Sequence, residues 1–222
     1  SLSVTNGAAF YVGFADTDRF APATLQVPTI RCDGDMYIGS NATVGIYSAE
    51  TNASRPILYG SLIQVGGTLR LGAFGQIRPY SAQTNGASPY IRVTSLLIET
   101  NAKINADNLG FAGALSSGAA GYGPGRGLGS GNNSSGGGGG YGGKGGNASA
   151  SGGSKYGSDI EPRFPGSGGG AGYYAAGRGG GLIWVEATDR IRIDGLLSAN
   201  GEDGLTTQRG SGSGGGLGGM PM

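Results

Sequence analysis

The sequence predicts an all-β protein, a short right-handed parallel β-solenoid with a long glycine-rich, polyglycine II-like insertion. Three observations predict it. Apolar residues alternate with period two in several short segments. Those segments copy one another at a spacing of about 28 residues. Between Leu109 and Leu182 the chain nearly stops using side chains, with glycine runs at 136–140, 142–143, 145–146, 168–170 and 179–181.

The repeat emerges when three segments are overlaid. Leu62-Ile63-Gln64-Val65 leads through Leu71 to Ile77, and Leu182-Ile183-Trp184-Val185 leads through Ile191 to Leu197. In both copies the last three of these apolar positions are six residues apart. Ile91-Arg92-Val93, running on through Ile98 and Ile104, matches with one residue deleted, and Met36-Tyr37-Ile38 to Val44-Gly45-Ile46 is a weaker early copy. Small or turn-prone residues recur between the short strands at Gly66-Gly67, Gly72, Asn101 and Gly195. One such repeat cannot bury its apolar face alone, whereas stacked copies bury it and pair their backbones. The overlay sets Val65, Val93 and Val185 in adjacent copies, and it points Val65, Leu71, Ile77, Val93, Ile98, Ile104, Val185, Ile191 and Leu197 inward. The right hand follows from the strong preference for right-handed parallel crossovers.

The elements then fall in order. Residues 1–28 form an N-terminal extension, a cap or a segment that engages a neighbouring subunit, since Ala8-Ala9-Phe10-Tyr11-Val12 is an apolar run with no copy of the repeat to join. Solenoid repeats occupy 29–108, the glycine-rich insertion 109–181, a returning repeat 182–200, and a glycine-rich tail 201–222. Insertion and tail leave from equivalent corners, after Ile104 and Leu197. The insertion reads as ordered rather than as a linker. It carries anchors such as Leu115, Ile160 and Phe164, and side-chain-free segments can pack as three-residue helices that exchange backbone hydrogen bonds laterally.

Composition bounds the function. With a net charge of +1 and no basic stripe, the chain has nothing to neutralise phosphates, so nucleic acid is excluded as a partner. No apolar run approaches the ~20 residues of a membrane helix. The absence of His removes the commonest general base and metal ligand, and Cys32 is alone. Glu99, Asp107, Glu186, Asp194 and Asp203 read as solvated corners and turn formers, so no enzyme and no catalytic residue is expected. Asp33-Gly34-Asp35 and Asn200-Gly201-Glu202-Asp203-Gly204 offer hard oxygen ligands. They match neither an EF-hand nor a β-roll nonapeptide, and tight turns explain both as well. No cofactor is therefore expected, with bound calcium as the alternative. Gly123-Pro124-Gly125-Arg126-Gly127 lacks the ending of a phosphate loop.

Several pieces keep the order of a known pattern. These are Asn105-Ala106-Asp107-Asn108-Leu109-Gly110, Gly142-Gly143-Lys144-Gly145-Gly146, Tyr156-Gly157-Ser158-Asp159-Ile160, and Gly179-Gly180-Gly181-Leu182-Ile183-Trp184-Val185. Over about residues 62–219 they resemble the glycine-rich parallel β-helix repeats of bacterial surface and secreted proteins. The polyglycine packing resembles that of certain phage tail-tip adhesins and of the glycine-rich domain of some receptor kinases.

Abundant Ser, Thr, Asn and Gly with few Lys and Glu suggests an extracellular, cell-surface or virion-surface protein. The first functional expectation is a structural subunit that polymerises with identical copies through open strand edges and residues 3–27, anchored by Phe10, Tyr11 and Phe14. The second is an adhesin that recognises a cell-surface glycan or protein through Tyr122, Tyr141, Tyr156, Tyr173 and Tyr174, rigid aromatics on a glycine scaffold. The same tyrosines could instead stack over the glycine layer and hold it in place.

Overall fold

The computed structural model describes residues 1–13, 27–50, 59–131, 134–158 and 160–204. The described residues contain no helix, and every pairing between their strands is parallel. The strands are β1 (Leu2–Val4), β2 (Ala9–Val12), β3 (Thr29–Cys32), β4 (Met36–Ile38), β5 (Thr43–Tyr47), β6 (Ser61–Leu71), β7 (Gln76–Tyr80), β8 (Pro89–Ile98), β9 (Lys103–Asn105), β10 (Trp184–Ile193) and β11 (Leu196–Ser198). They make two sheets. The first runs β1-β4-β6-β8-β10 with β3 also on β6, and the second runs β11-β9-β7-β5-β2.

Chain contacts divide into two compact units. The strand unit comprises Ser1–Tyr80, Ala87–Asn105 and Trp184–Ser198, and the glycine unit comprises Ser81–Gly86, Ala106–Ile183 and Ala199–Met222.

In the strand unit, alternation becomes columns. Leu2, Met36, Leu69, Leu96 and Ile191 are register partners in turn, as are Val4, Ile38, Leu71, Ile98 and Ile193. In the second sheet Phe10, Val44, Ile77, Ile104 and Leu197 form the matching column. The middle members are buried, and Met36, Ile38, Leu69, Leu71, Ile77, Leu96, Ile98 and Ile104 are the large side chains of the core. Period two puts a whole apolar set on one face, and parallel stacking supplies each layer with its neighbours.

The corner between the two sheets is closed by the same backbone hydrogen bond in four successive repeats. Ala8, Ala42, Gly75 and Ala102 each donate an N–H to the carbonyl three residues back, at 2.7–3.2 Å. The positive φ common to all four turns falls on Gly7, Asn41, Phe74 and Asn101, each three residues beyond the last buried strand position, and in the first two turns Asn6 and Ser40 are positive as well. Gly and Asn tolerate that conformation, whereas phenylalanine has no local hydrogen bond to offset it. Phe74→Asn should therefore stabilise the fold by about 1 kcal/mol, raising the melting temperature by roughly 2–4 °C.

Three expectations are corrected. The run Ala8–Val12 does have a repeat to join, because β2 pairs with β5 from Ala9↔Thr43 to Val12↔Ile46, and β1 pairs with β4. Gly66-Gly67 is a bulge inside β6 rather than a corner, with both residues standing opposite Thr94. Side chains are excluded there because a Cβ on Gly67 would overlap the Asp35 carboxylate, whose Oδ1 accepts the Thr68 N–H at 2.7 Å. The overlay of the last copy is two residues out of step in the first sheet, whereas in the second Leu197 pairs with Ile104, and Ile104 with Ile77, as overlaid. Val65 pairs with Val93, whose partner in β10 is Ala187, while Val185 pairs with Ile91. A two-residue slip preserves the face, so Val185 and Ile191 occupy inward columns as expected. Both nonetheless remain partly open, because β10 is the last strand of its sheet.

Candidate functional site

Two surfaces carry the predicted contact residues. The first is the pair of open ends of the strand unit. β10 and β11 close one end of the two sheets and β1 and β2 the other, each with a free edge of backbone N–H and C=O groups among the described residues. Apolar side chains of the inward columns surface there. Ile191 is 46% exposed and Ile193 40% on β10, and Phe10 is 41% exposed on β2. Tyr11, 49% exposed, points to the outer face, where its ring lies over Gly45. Of the three predicted anchors, Phe10 and Tyr11 are thus at an open end, and Phe14 lies outside the described residues.

Ladders on the outer faces were missed in the sequence. On the first sheet Tyr59, Tyr90 and Trp184 form a row, with centroids 5.4 and 4.6 Å apart. On the second, Tyr47 stacks on Tyr80 at 4.1 Å with Arg78 over the Tyr80 ring. A correct register for β10 would have found the first row, because Tyr90 and Trp184 are direct partners. The Tyr90 hydroxyl donates to Glu186. Burial, followed by that bond, pushes the Tyr90 pKa up to about 12, and burial with the Tyr47 hydroxyl does the same for Tyr80.

An ordinary tyrosine titrates near 10. Folded pKa values above the unfolded value mean that the native state holds its protons longer. This stabilisation is complete below pH 10 and is lost as pH rises from about 10 to 12. Thermal melts should therefore fall across that window, and Tyr90→Phe should flatten the fall. An unchanged slope in the variant would show that Tyr90 does not contribute to it.

The second surface belongs to the glycine unit. Its central segment, residues 166–171, donates to three neighbours in strict rotation. Gly166 and Gly169 reach Gly180 and Gly177, Ser167 and Gly170 reach Gly140 and Gly137, and Gly168 and Ala171 reach Tyr122 and Ala119, all at 2.8–3.4 Å. It accepts from two more, with Phe111 and Ala114 donating to Gly166 and Gly169, and Gly127 and Ser130 donating to Gly168 and Ala171. Bonds to any one neighbour recur every three residues. The backbones approach so closely that a Cβ on Gly168 would overlap the Ala112 carbonyl, and one on Gly179 the Gly166 carbonyl.

The five candidate tyrosines divide. Tyr141 is only 3% exposed, its hydroxyl accepting the N–H groups of Arg163 and Phe164 at 3.1 and 3.4 Å. Tyr156 meets it edge-on at 5.0 Å and donates to the Pro165 carbonyl. Burial raises both pKa values. These two rings pack the unit, and the burial of Tyr141 accords with the packing alternative for these tyrosines rather than with recognition. Tyr122 and Tyr173 are exposed, and Tyr174 is half-buried against Tyr173 at 4.8 Å.

The carboxylates serve as structural acceptors. Asp107 Oδ1 accepts the Asn200 N–H at 2.6 Å, and Glu202 accepts the Arg178 N–H at 3.1 Å. Asp33 pairs with Arg31, Asp194 with Arg192, and Glu99 with Arg70. Asp33 and Asp35 are therefore already engaged by protein groups. Among the described residues no group of three or more His, Cys, Asp or Glu comes together. No described helix is long and apolar enough to cross a membrane. No family model, curated protein or solved structure matches the chain.

Proposed function

We propose that the chain is a structural subunit of an extracellular filament or surface layer, built on a short right-handed β-solenoid and self-assembling through its open edges and N-terminal strands. One observation carries this reading: among the described residues both ends of the two sheets are parallel edges, with apolar side chains of the inward columns exposed at Ile191 and Ile193 on one end and at Phe10 on the other. Open edges of this kind are templates for pairing with another chain. When the two complementary edges lie at opposite ends of one molecule, association runs head to tail and generates fibres. The three-residue hydrogen-bond rotation in the glycine unit supports polyglycine II-like packing of the insertion. That packing provides a stiff element without a conventional apolar core. Electron microscopy of the purified chain, with light scattering over a concentration series, tests the reading. Fibres that lengthen with concentration are expected, and a monomer at the highest concentration reached would sink it.

A second reading, an adhesin, draws on a different observation. The exposed Tyr122, Tyr173, Ile160 and Phe164 lie on the glycine unit, where rigid aromatics give contact area at low entropic cost. Under this reading, the monomer binds glycan or protein displayed on cells, and Tyr173→Ala abolishes binding without changing the melting temperature.

A further inference from the structure

The register of the two sheets can be extended past their last strands, β10 and β11. Each inward column in the second half of the first sheet begins on β1 and ends on β10, and the matching column of the second sheet begins on β2 and ends on β11. We infer that the partner of the β10–β11 end is the β1–β2 end of a second copy, docked parallel and in register. In this joint Ile191 meets the next copy's Leu2, Arg192 its Ser3, Ile193 its Val4 and Leu197 its Phe10. The inference rests on the self-assembly reading and adds which edges meet and residue by residue where.

Three arguments select this occupant. The sheets are wholly parallel among the described residues, so a second copy added with the same polarity continues both ladders without a break, whereas an end met by its own kind would be antiparallel. The side chains also continue the pattern within the chain. An exposed Ile191, Ile193 and Phe10 gain the neighbours that Met36, Leu69, Leu96 and Ile98 already have, and each is left half-covered without them. Charge offers no obstacle, because Arg192 of β10 faces Ser3 and the outward residues of β1 and β2 are uncharged. The first half of β10 then faces the next copy's Thr29–Cys32 across the width of one strand, since β3 has no strand beyond it among the described residues. The joint therefore pairs β1 with the second half of β10 and β2 with β11.

Cysteine cross-linking of the full chain tests the register. Paired strands lie ~4.8 Å apart, within the reach of a disulfide at about 4.4–6.8 Å. Ser3 and Arg192 both point outward and are exposed, and Cys32 is buried, so new thiols there disturb no core. The double variant Ser3→Cys/Arg192→Cys should give a ladder of covalent oligomers on a non-reducing gel, and the ladder should collapse on reduction. Ser3→Cys/Arg190→Cys, out of register by two residues or about 7 Å, should give none. Ile191→Asp, at a position already open in the monomer, should keep the strand spectrum and move polymerisation to about 100-fold higher concentration.

Fibres without a ladder, or a ladder in the out-of-register variant, would overturn this joint while leaving self-assembly intact. Absence of fibres from the unmodified chain would remove the self-assembly reading and this joint with it.

Discussion

Gly168→Ala should unfold the glycine unit, although it adds a single methyl group. The new carbon would overlap the Ala112 carbonyl and its carbonyl carbon, and both are backbone atoms that no rotamer change can move. Gly168 also donates to Tyr122 and accepts from Gly127, so any displacement breaks bonds to two neighbouring segments. Overpacking against an adaptable side chain costs about 1–3 kcal/mol, and against fixed backbone more than about 3 kcal/mol is expected. Gly146→Ala is the matched control, since nothing lies within 4 Å of its added carbon. It should be neutral or stabilise by about 0.5 kcal/mol through the unfolded chain. Amide hydrogen exchange over residues 110–181 checks both. Equal protection in the two variants would mean that the close backbone packing of residues 166–171 is not what orders this unit.

Ile91→Asp should cost the strand unit at least about 4 kcal/mol and leave it largely unfolded at room temperature. Ile91 lies between Ile63 and Val185 in an inward column and is 1% exposed, so its replacement buries an unpaired carboxylate. The same substitution at Val185 should cost much less. That strand is the last of its sheet, and its charge can reach water past the free edge. Gln64→Asp should be near neutral or slightly favourable, because Gln64 is the register partner of Arg31 and Arg92 on the outer face. Chemical denaturation of the three variants gives the order directly. A Val185→Asp variant as damaged as Ile91→Asp would show that the β10 edge is covered in the isolated chain.

The alternation of apolar residues by itself determined that the chain is all-β, which side chains face inward, and that its strands stack in parallel copies. Period two carries that information locally, residue by residue, and it survives an error of two in the register. This is why Val65, Val93 and Ile98 were legible although the last copy was misaligned. The glycine runs at 136–140, 168–170 and 179–181 likewise contain positions where backbones approach too closely for a side chain, whereas Gly143 and Gly146 stand in open space.

Register across long gaps in the sequence was decided by tertiary structure. Leu71 and Ile77 are six residues apart, but the corresponding Ile193 and Leu197 are four apart, because the corner through Asp194 and Gly195 is shorter. A shortened corner leaves the alternation on either side intact, so no local pattern reports it. Membership of Ala9–Val12 in the second sheet was hidden for the same reason: its partner, Thr43–Tyr47, lies more than thirty residues away and shares little of its composition. Whether a tyrosine packs or stays exposed depends on which backbone passes beside it. Tyr141 and Tyr173 sit in equally glycine-rich surroundings, yet Tyr141 is held by the N–H groups of Arg163 and Phe164 and Tyr173 is left open. Those hydrogen bonds connect residues more than twenty positions apart, and composition holds no trace of them.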